Sequence, residues 1–144
     1  AHILLSAFVT TAMYRLHKGK KWATPLIGLI FSILPCTISD IGFPYLGASI
    51  LKIEIDWHFC LIEHPQIIIP SALVGIVLAY LKPITKCPHT AHVLISTSAS
   101  LFYLLAFGVA LWVPLLPFVF LILFIAVWIP CCASDIVFPL LFVD

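Results

Sequence analysis

The stretch Pro35-Cys36-Thr37-Ile38-Ser39-Asp40-Ile41-Gly42-Phe43-Pro44-Tyr45-Leu46 decides how this chain is read, because it occurs twice. The second copy is Pro130-Cys131-Cys132-Ala133-Ser134-Asp135-Ile136-Val137-Phe138-Pro139-Leu140-Leu141, and eight of the twelve positions are identical. A second match lies upstream in the same order: Ala1-His2-Ile3-Leu4-Leu5-Ser6 against Ala91-His92-Val93-Leu94-Ile95-Ser96. The offsets are 95 (130 − 35) and 90 (91 − 1), so the second copy has gained five residues between its motifs. Two ordered matches indicate an internal repeat. Repeat one covers residues 1–82, and an incomplete repeat two covers 91–144.

The surroundings of these motifs are apolar. Of the 144 residues, 63% are hydrophobic and 9% charged, against about 25% charged in an average soluble domain. Thirteen charged side chains (7 + 6) cannot cover the surface of a soluble globule of this size. The composition excludes a water-soluble domain, a disordered chain, a nucleic-acid binder and a coiled coil. Apolar runs at 3–14, 23–39, 66–81, 93–113 and 115–133 predict an all-α integral membrane protein, a single domain over 1–144 with about five transmembrane helices. The runs lack the alternation of a β-barrel. No basic segment precedes the first run, so it does not read as a signal peptide. A chain opening on Ala1 and stopping after an apolar run at Asp144 is expected to be part of a longer one.

Positive charge orients the spans. Arg15, Lys18, Lys20 and Lys21 follow the first run, and Lys82 and Lys86 follow the third. If the third run crosses, both clusters face the cytoplasm. Segment 40–65, holding four of the six acids, then lies outside. The expected membrane is a bacterial inner membrane. Three spans per repeat is an odd number, so the copies insert in opposite directions, as in many secondary transporters. His2 and Asp40 are then expected at the outer end of one hairpin, and His92 and Asp135 at the inner end of the other. Trp22, Trp112 and Trp128, with Tyr14 and Tyr80, read as anchors near the span ends.

Asp40 and Asp135 carry the chemistry. An ionised carboxylate in hydrocarbon costs several kcal/mol, so it needs a cavity, a partner or an ion. Each has a proline five residues before and four after, which predicts a frayed or unwound stretch with free carbonyls, suited to a cation. The plainer alternative is an ordinary cap. His58, Cys60 and His64 form one His/Cys set before the third run. Cys87, His89 and His92 form another after it. Imidazole and thiolate suit Zn, Ni, Co, Cu or Fe rather than Mg or Ca. His89 and His92, three apart, share a helix face. Cys36, Cys131 and Cys132 read as packing residues, and five cysteines in an apolar chain do not form a disulfide framework. Residues 52–59 alternate polar and apolar like a strand. Ser96, Thr97, Ser98 and Ser100 suit close helix packing. No phosphate loop, G-x-S-x-G or H-E-x-x-H is present.

The motif order resembles the YdjM-type family of membrane-bound metal-dependent hydrolases. The matching positions are His2, Leu34-Pro35 with Asp40, His89 with His92, and Asp135 with Pro139. The resemblance spans most of the chain on about six residues. Missing are the second Asp of an Asp-x-Asp loop, the Arg-Gly of the His loop and the His before the last Asp. The resemblance implies a hydrolytic metal site.

Three functions fit the sequence. The first is a small permease for a divalent transition-metal cation, exchanging outer and inner Asp–His hairpins. Asp40, Asp135, His2 and His92 would form its core, with His58, Cys60, His64, Cys87 and His89 as mouth ligands. The second is a membrane-embedded hydrolase with one cluster of His2, Asp40, His89, His92 and Asp135. This needs all five on one side, hence residues 66–81 not crossing. The third is a non-catalytic subunit of a membrane complex. The expected partners are the lipid bilayer, a metal ion and a second copy of the chain, with no nucleic acid and no organic cofactor.

Overall fold

The computed structural model describes residues 1–52, 54–55, 60–109, 114 and 116–143. It is built almost entirely of helix. α1 spans His2–Leu16 and α2 Thr24–Thr37; a π-helical turn, π1, covers Ile38–Gly42, and α3 covers Phe43–Ile50. α4 is Cys60–Glu63, α5 Pro65–Leu81 and α6 Lys86–Phe107. α7 is Leu116–Cys132, followed by a second π turn, π2, at Ala133–Val137 and by α8 at Phe138–Leu141. Of the strand expected over 52–59, residues 53 and 56–59 lie outside the described residues, and Glu54–Ile55 form β1, paired antiparallel with β2, Gly108–Val109.

Two helices among the described residues are long and apolar enough to cross a membrane: Thr24–Ile50, of 27 residues, and Pro117–Leu141, of 25. At 1.5 Å per residue these rods are about 40 and about 37 Å long, against a hydrocarbon core of about 30 Å. The apolar helix Pro65–Leu81 has 17 residues, about 26 Å. Of the five expected spans, two therefore pass on length and apolarity alone.

The prolines do not break these rods, contrary to the expectation of unwound ends. Pro35 and Pro130 lie inside α2 and α7, and Pro44 and Pro139 stand in the first turn of α3 and α8. The backbone stays right-handed helical through Ile38, with φ −65° and ψ −43°. Proline removes one i−4 hydrogen bond, and the wider i→i+5 turn resets the ladder beyond it. The bonds Phe43 N–H to Ile38 O and Phe138 N–H to Ala133 O close the two π turns. Side chains bond further carbonyls: Thr37 Oγ1 donates to Ile33 O at 2.8 Å, and Ser39 Oγ to Cys36 O at 3.0 Å.

The rods alternate in direction. α1 and α2 are antiparallel, because Thr11 lies against Gly28 while His2 meets Cys36 and Asp40. α5 runs with α1: Ala7 packs with Ala72 and Ile76, Phe8 and Ala12 with Ala79, and Arg15 reaches Ala79 O and Tyr80 O at 3.3 and 2.7 Å. Gly75 lets these two backbones touch; a Cβ there would strike the Leu4 carbonyl. The Arg15 guanidinium also lies 4.4 Å from the Tyr80 ring centre, so one cation satisfies the end of α5 and stacks on its aromatic. α6 runs with α2, placing His92 by Cys36 and Ser100 by Ser39. The Pro117–Leu141 rod runs with α1, since Ser134 meets Ser6 and Thr10 while Phe142 O accepts from Tyr14 OH at 3.3 Å.

Small polar side chains are buried beside the apolar seam, and many large apolar side chains lie outside. Ser6, Thr10, Thr11, Thr24, Ser32, Ser39, Ser96, Ser100 and Ser134 are buried, whereas Leu26, Leu34, Ile67, Leu73, Phe120 and Trp128 are exposed. In water this would expose the groups whose burial stabilises a globule, at about 1.5–3 kcal/mol for each large side chain. Facing hydrocarbon, it costs nothing and leaves the small polar groups to knit the helices. Of the expected anchors, Trp22 and Trp128 are exposed and Tyr14 is buried, while Trp112 lies outside the described residues.

Candidate metal centre

The repeated motifs meet in the middle of the bundle. π1 presents Asp40 to the first turn of α1, where His2 Nδ1 donates to Asp40 Oδ2 at 2.5 Å. Ser39 Oγ donates to the other carboxylate oxygen at 3.0 Å. π2 presents Asp135 to α6, where His89 Nδ1 and His92 Nδ1 both reach Asp135 Oδ2 at 2.7 Å. The three-residue spacing puts both imidazoles on one face of α6. The two halves then join: His2 Nε2 and His92 Nε2 are 2.9 Å apart, and their ring centres 4.8 Å apart.

Thiols line the same junction. Cys36 Sγ lies 3.5 Å from His2 Nε2 and 4.0 Å from His92 Nε2. Cys131 Sγ lies 3.9 Å from His92 Nε2 and donates to Ser96 Oγ at 3.4 Å. The cluster is dry. His92 and Asp135 are fully buried and His2 nearly so, while Asp40 and His89 keep 23% and 32% of their side chains exposed. Asp135 Oδ1 has no hydrogen-bond partner among the described residues. An orphan buried carboxylate oxygen costs about 1–3 kcal/mol or more.

Among the described residues, two overlapping groups could hold a metal ion: His2, Cys36 and His92, all buried, and His89, His92 and Asp135. In each, the potential ligand atoms lie within 4.8 Å of one another. The halves of the chain are also stitched reciprocally. Thr10 Oγ1 donates to Ser134 O at 3.2 Å, and Ser100 Oγ, 90 positions on from Thr10, donates to Ser39 O at 3.1 Å.

His2, Asp40, His89, His92 and Asp135 are thus brought together. His64 caps the start of α5 and Cys87 is exposed in the first turn of α6; neither belongs to the two groups. Cys60 opens α4, and His58 lies outside the described residues. The expectation that the two Asp–His hairpins sit at opposite ends of the bundle is overturned. Rods of 25 and 27 residues carry both acids well inside their length, where the imidazoles touch. Cys36, read from sequence as packing, belongs to the cluster. Its signal was its place in the duplicated motif, four residues before Asp40, matching Cys131 before Asp135.

The chain matches no protein-family model, no curated protein and no solved structure.

Proposed function

We propose that this chain is a membrane-embedded metal-dependent hydrolase. The observation that carries the reading is the single buried constellation of His2, Asp40, His89, His92 and Asp135. The hydrolase required these five residues together, whereas a permease alternating between outer and inner hairpins required them apart. The resemblance to membrane-bound metal-dependent hydrolases names the same five positions. A divalent transition metal held by the imidazoles supplies Lewis acidity. Asp40 and Asp135 hold the rings in one tautomer and orientation.

Because the five residues meet inside the bundle rather than on one of its faces, the hydrolase does not need residues 66–81 to stay on one side; in this reading the five rods are five crossings, and the copies form an inverted repeat. Three features support it: the alternating directions, the apolar exterior and the reciprocal Thr10–Ser134 and Ser100–Ser39 bonds. Lys18, Lys20, Lys21, Lys82 and Lys86 then mark the cytoplasmic side. The test uses the full chain in nanodiscs with a panel of chromogenic carboxylic and phosphoric esters. Hydrolysis that a chelator abolishes, that zinc restores and that His92→Ala lacks supports the proposal. Turnover insensitive to both chelator and His92→Ala contradicts it.

One observation favours cation passage as a second reading: the cluster lies at the junction of the two halves, where carriers bind their ions. Zinc uptake into sealed proteoliposomes without ester hydrolysis would select it.

A further inference from the structure

We infer that the metal is a thiophilic ion seated between the Nε2 atoms of His2 and His92 with Cys36 Sγ as third ligand, and that Asp40 and Asp135 are positioning residues rather than ligands. This rests on the metal-centre reading above and assigns its ligands.

The tautomers force the assignment. A carboxylate only accepts, so the bonds to Asp40 and Asp135 require a proton on His2 Nδ1 and on His92 Nδ1. A neutral imidazole carries one N–H, so each Nε2 is left with a bare lone pair. Those lone pairs point at each other across 2.9 Å. Two acceptors at that distance repel unless a proton or a metal cation lies between them. The nearest other donors among the described residues are the thiols of Cys36 and Cys131, which are weak donors.

The spacing fits a soft tetrahedral ion. With metal–nitrogen bonds of about 2.0 Å and a metal–sulfur bond of about 2.3 Å, ligand atoms stand roughly 3.3 Å (N to N) and 3.5 Å (N to S) apart. The observed separations are 2.9, 3.5 and 4.0 Å, so closure needs shifts of a few tenths of an ångström. The alternative group of His89, His92 and Asp135 offers Nδ1 atoms that already donate to the carboxylate at 2.7 Å, so a metal there would have to displace both protons. Carboxylate–histidine–metal relays are the usual outer arrangement of such sites. Cys131 is engaged by Ser96. Three protein ligands leave one position open, as in catalytic zinc sites.

The experiment is cobalt(II) substitution of the full chain in detergent, read by optical absorption, with circular dichroism to check the helices. The wild type and Cys131→Ser are expected to show a near-ultraviolet thiolate-to-cobalt charge-transfer band. Cys36→Ser is expected to lose that band while keeping the visible cobalt bands of the remaining ligands. Asp40→Asn is expected to keep the band with affinity lowered about 10–100-fold, the size of an outer-shell defect. Stoichiometric cobalt binding without the band, or a band that survives Cys36→Ser and disappears in Cys131→Ser, overturns the assignment alone. A wild type that binds no cobalt leaves a proton between the imidazoles and overturns the metal reading with it.

Discussion

His2 and His92 stand Nε2 to Nε2, 2.9 Å apart, although 90 residues separate them in the chain. Each ring is tied at its other nitrogen to an aspartate from a π turn. The result is an acid–imidazole–imidazole–acid relay through the centre of a helical bundle. It links the two copies of the repeated motif, so perturbing either copy is felt at the other.

The two acids are predicted to differ in what their removal costs. Asp135→Asn removes the negative charge that two imidazoles share in a fully buried place, whereas Asp40→Asn removes it from one in a partly exposed place. Asp135→Asn should therefore lower both thermal stability and metal affinity, the affinity by about 100-fold, and Asp40→Asn by about tenfold. Metal titration of both variants beside melting curves checks the order. A larger affinity loss for Asp40→Asn would contradict it.

The α1–α5 contact is predicted to tolerate no side chain at Gly75. A Cβ there meets the Leu4 carbonyl, which is backbone and cannot rotate away. Gly75→Val should destabilise by about 1–3 kcal/mol, the cost of overpacking. Ala72→Gly, in the same seam, should cost about 1 kcal/mol through helix propensity. Thermal denaturation in detergent compares the two.

If the rods are crossings, Lys52 lies on one side of the membrane and Lys18 and Lys82 on the other. Single cysteines at these three positions, probed in sealed vesicles with a membrane-impermeant maleimide, should label in that pattern. Equal labelling of positions 52 and 82 from one side would mean that Pro65–Leu81 does not cross.

How much of this the sequence disclosed depends on the link in question. The helices followed from unbroken apolar runs, and the pairing of His2 with Asp40 followed from their order within the repeat. The depth of the acids did not, because order along a chain says nothing about where two long rods overlap. The prolines misled for a local reason: a π turn keeps the helix going where a missing N–H predicts fraying. His64 and Cys87 looked like ligands because each belongs to a short His/Cys set beside the third run. His64 stands just before α5 and Cys87 in the first turn of α6, and neither is among the two groups of candidate ligands found in the described residues. Cys36 went unread because a thiol in an apolar run is usually filler; only its distance to two facing lone pairs gives it a role.

The most direct measurement is the metal content of the purified chain against that of the His2→Gln, His92→Gln double variant. The wild type should carry one zinc-class ion per chain that survives gel filtration, and the variant none above background while keeping its helical circular dichroism. Equal content in the two proteins, or a metal-free wild type after zinc loading, would contradict the account.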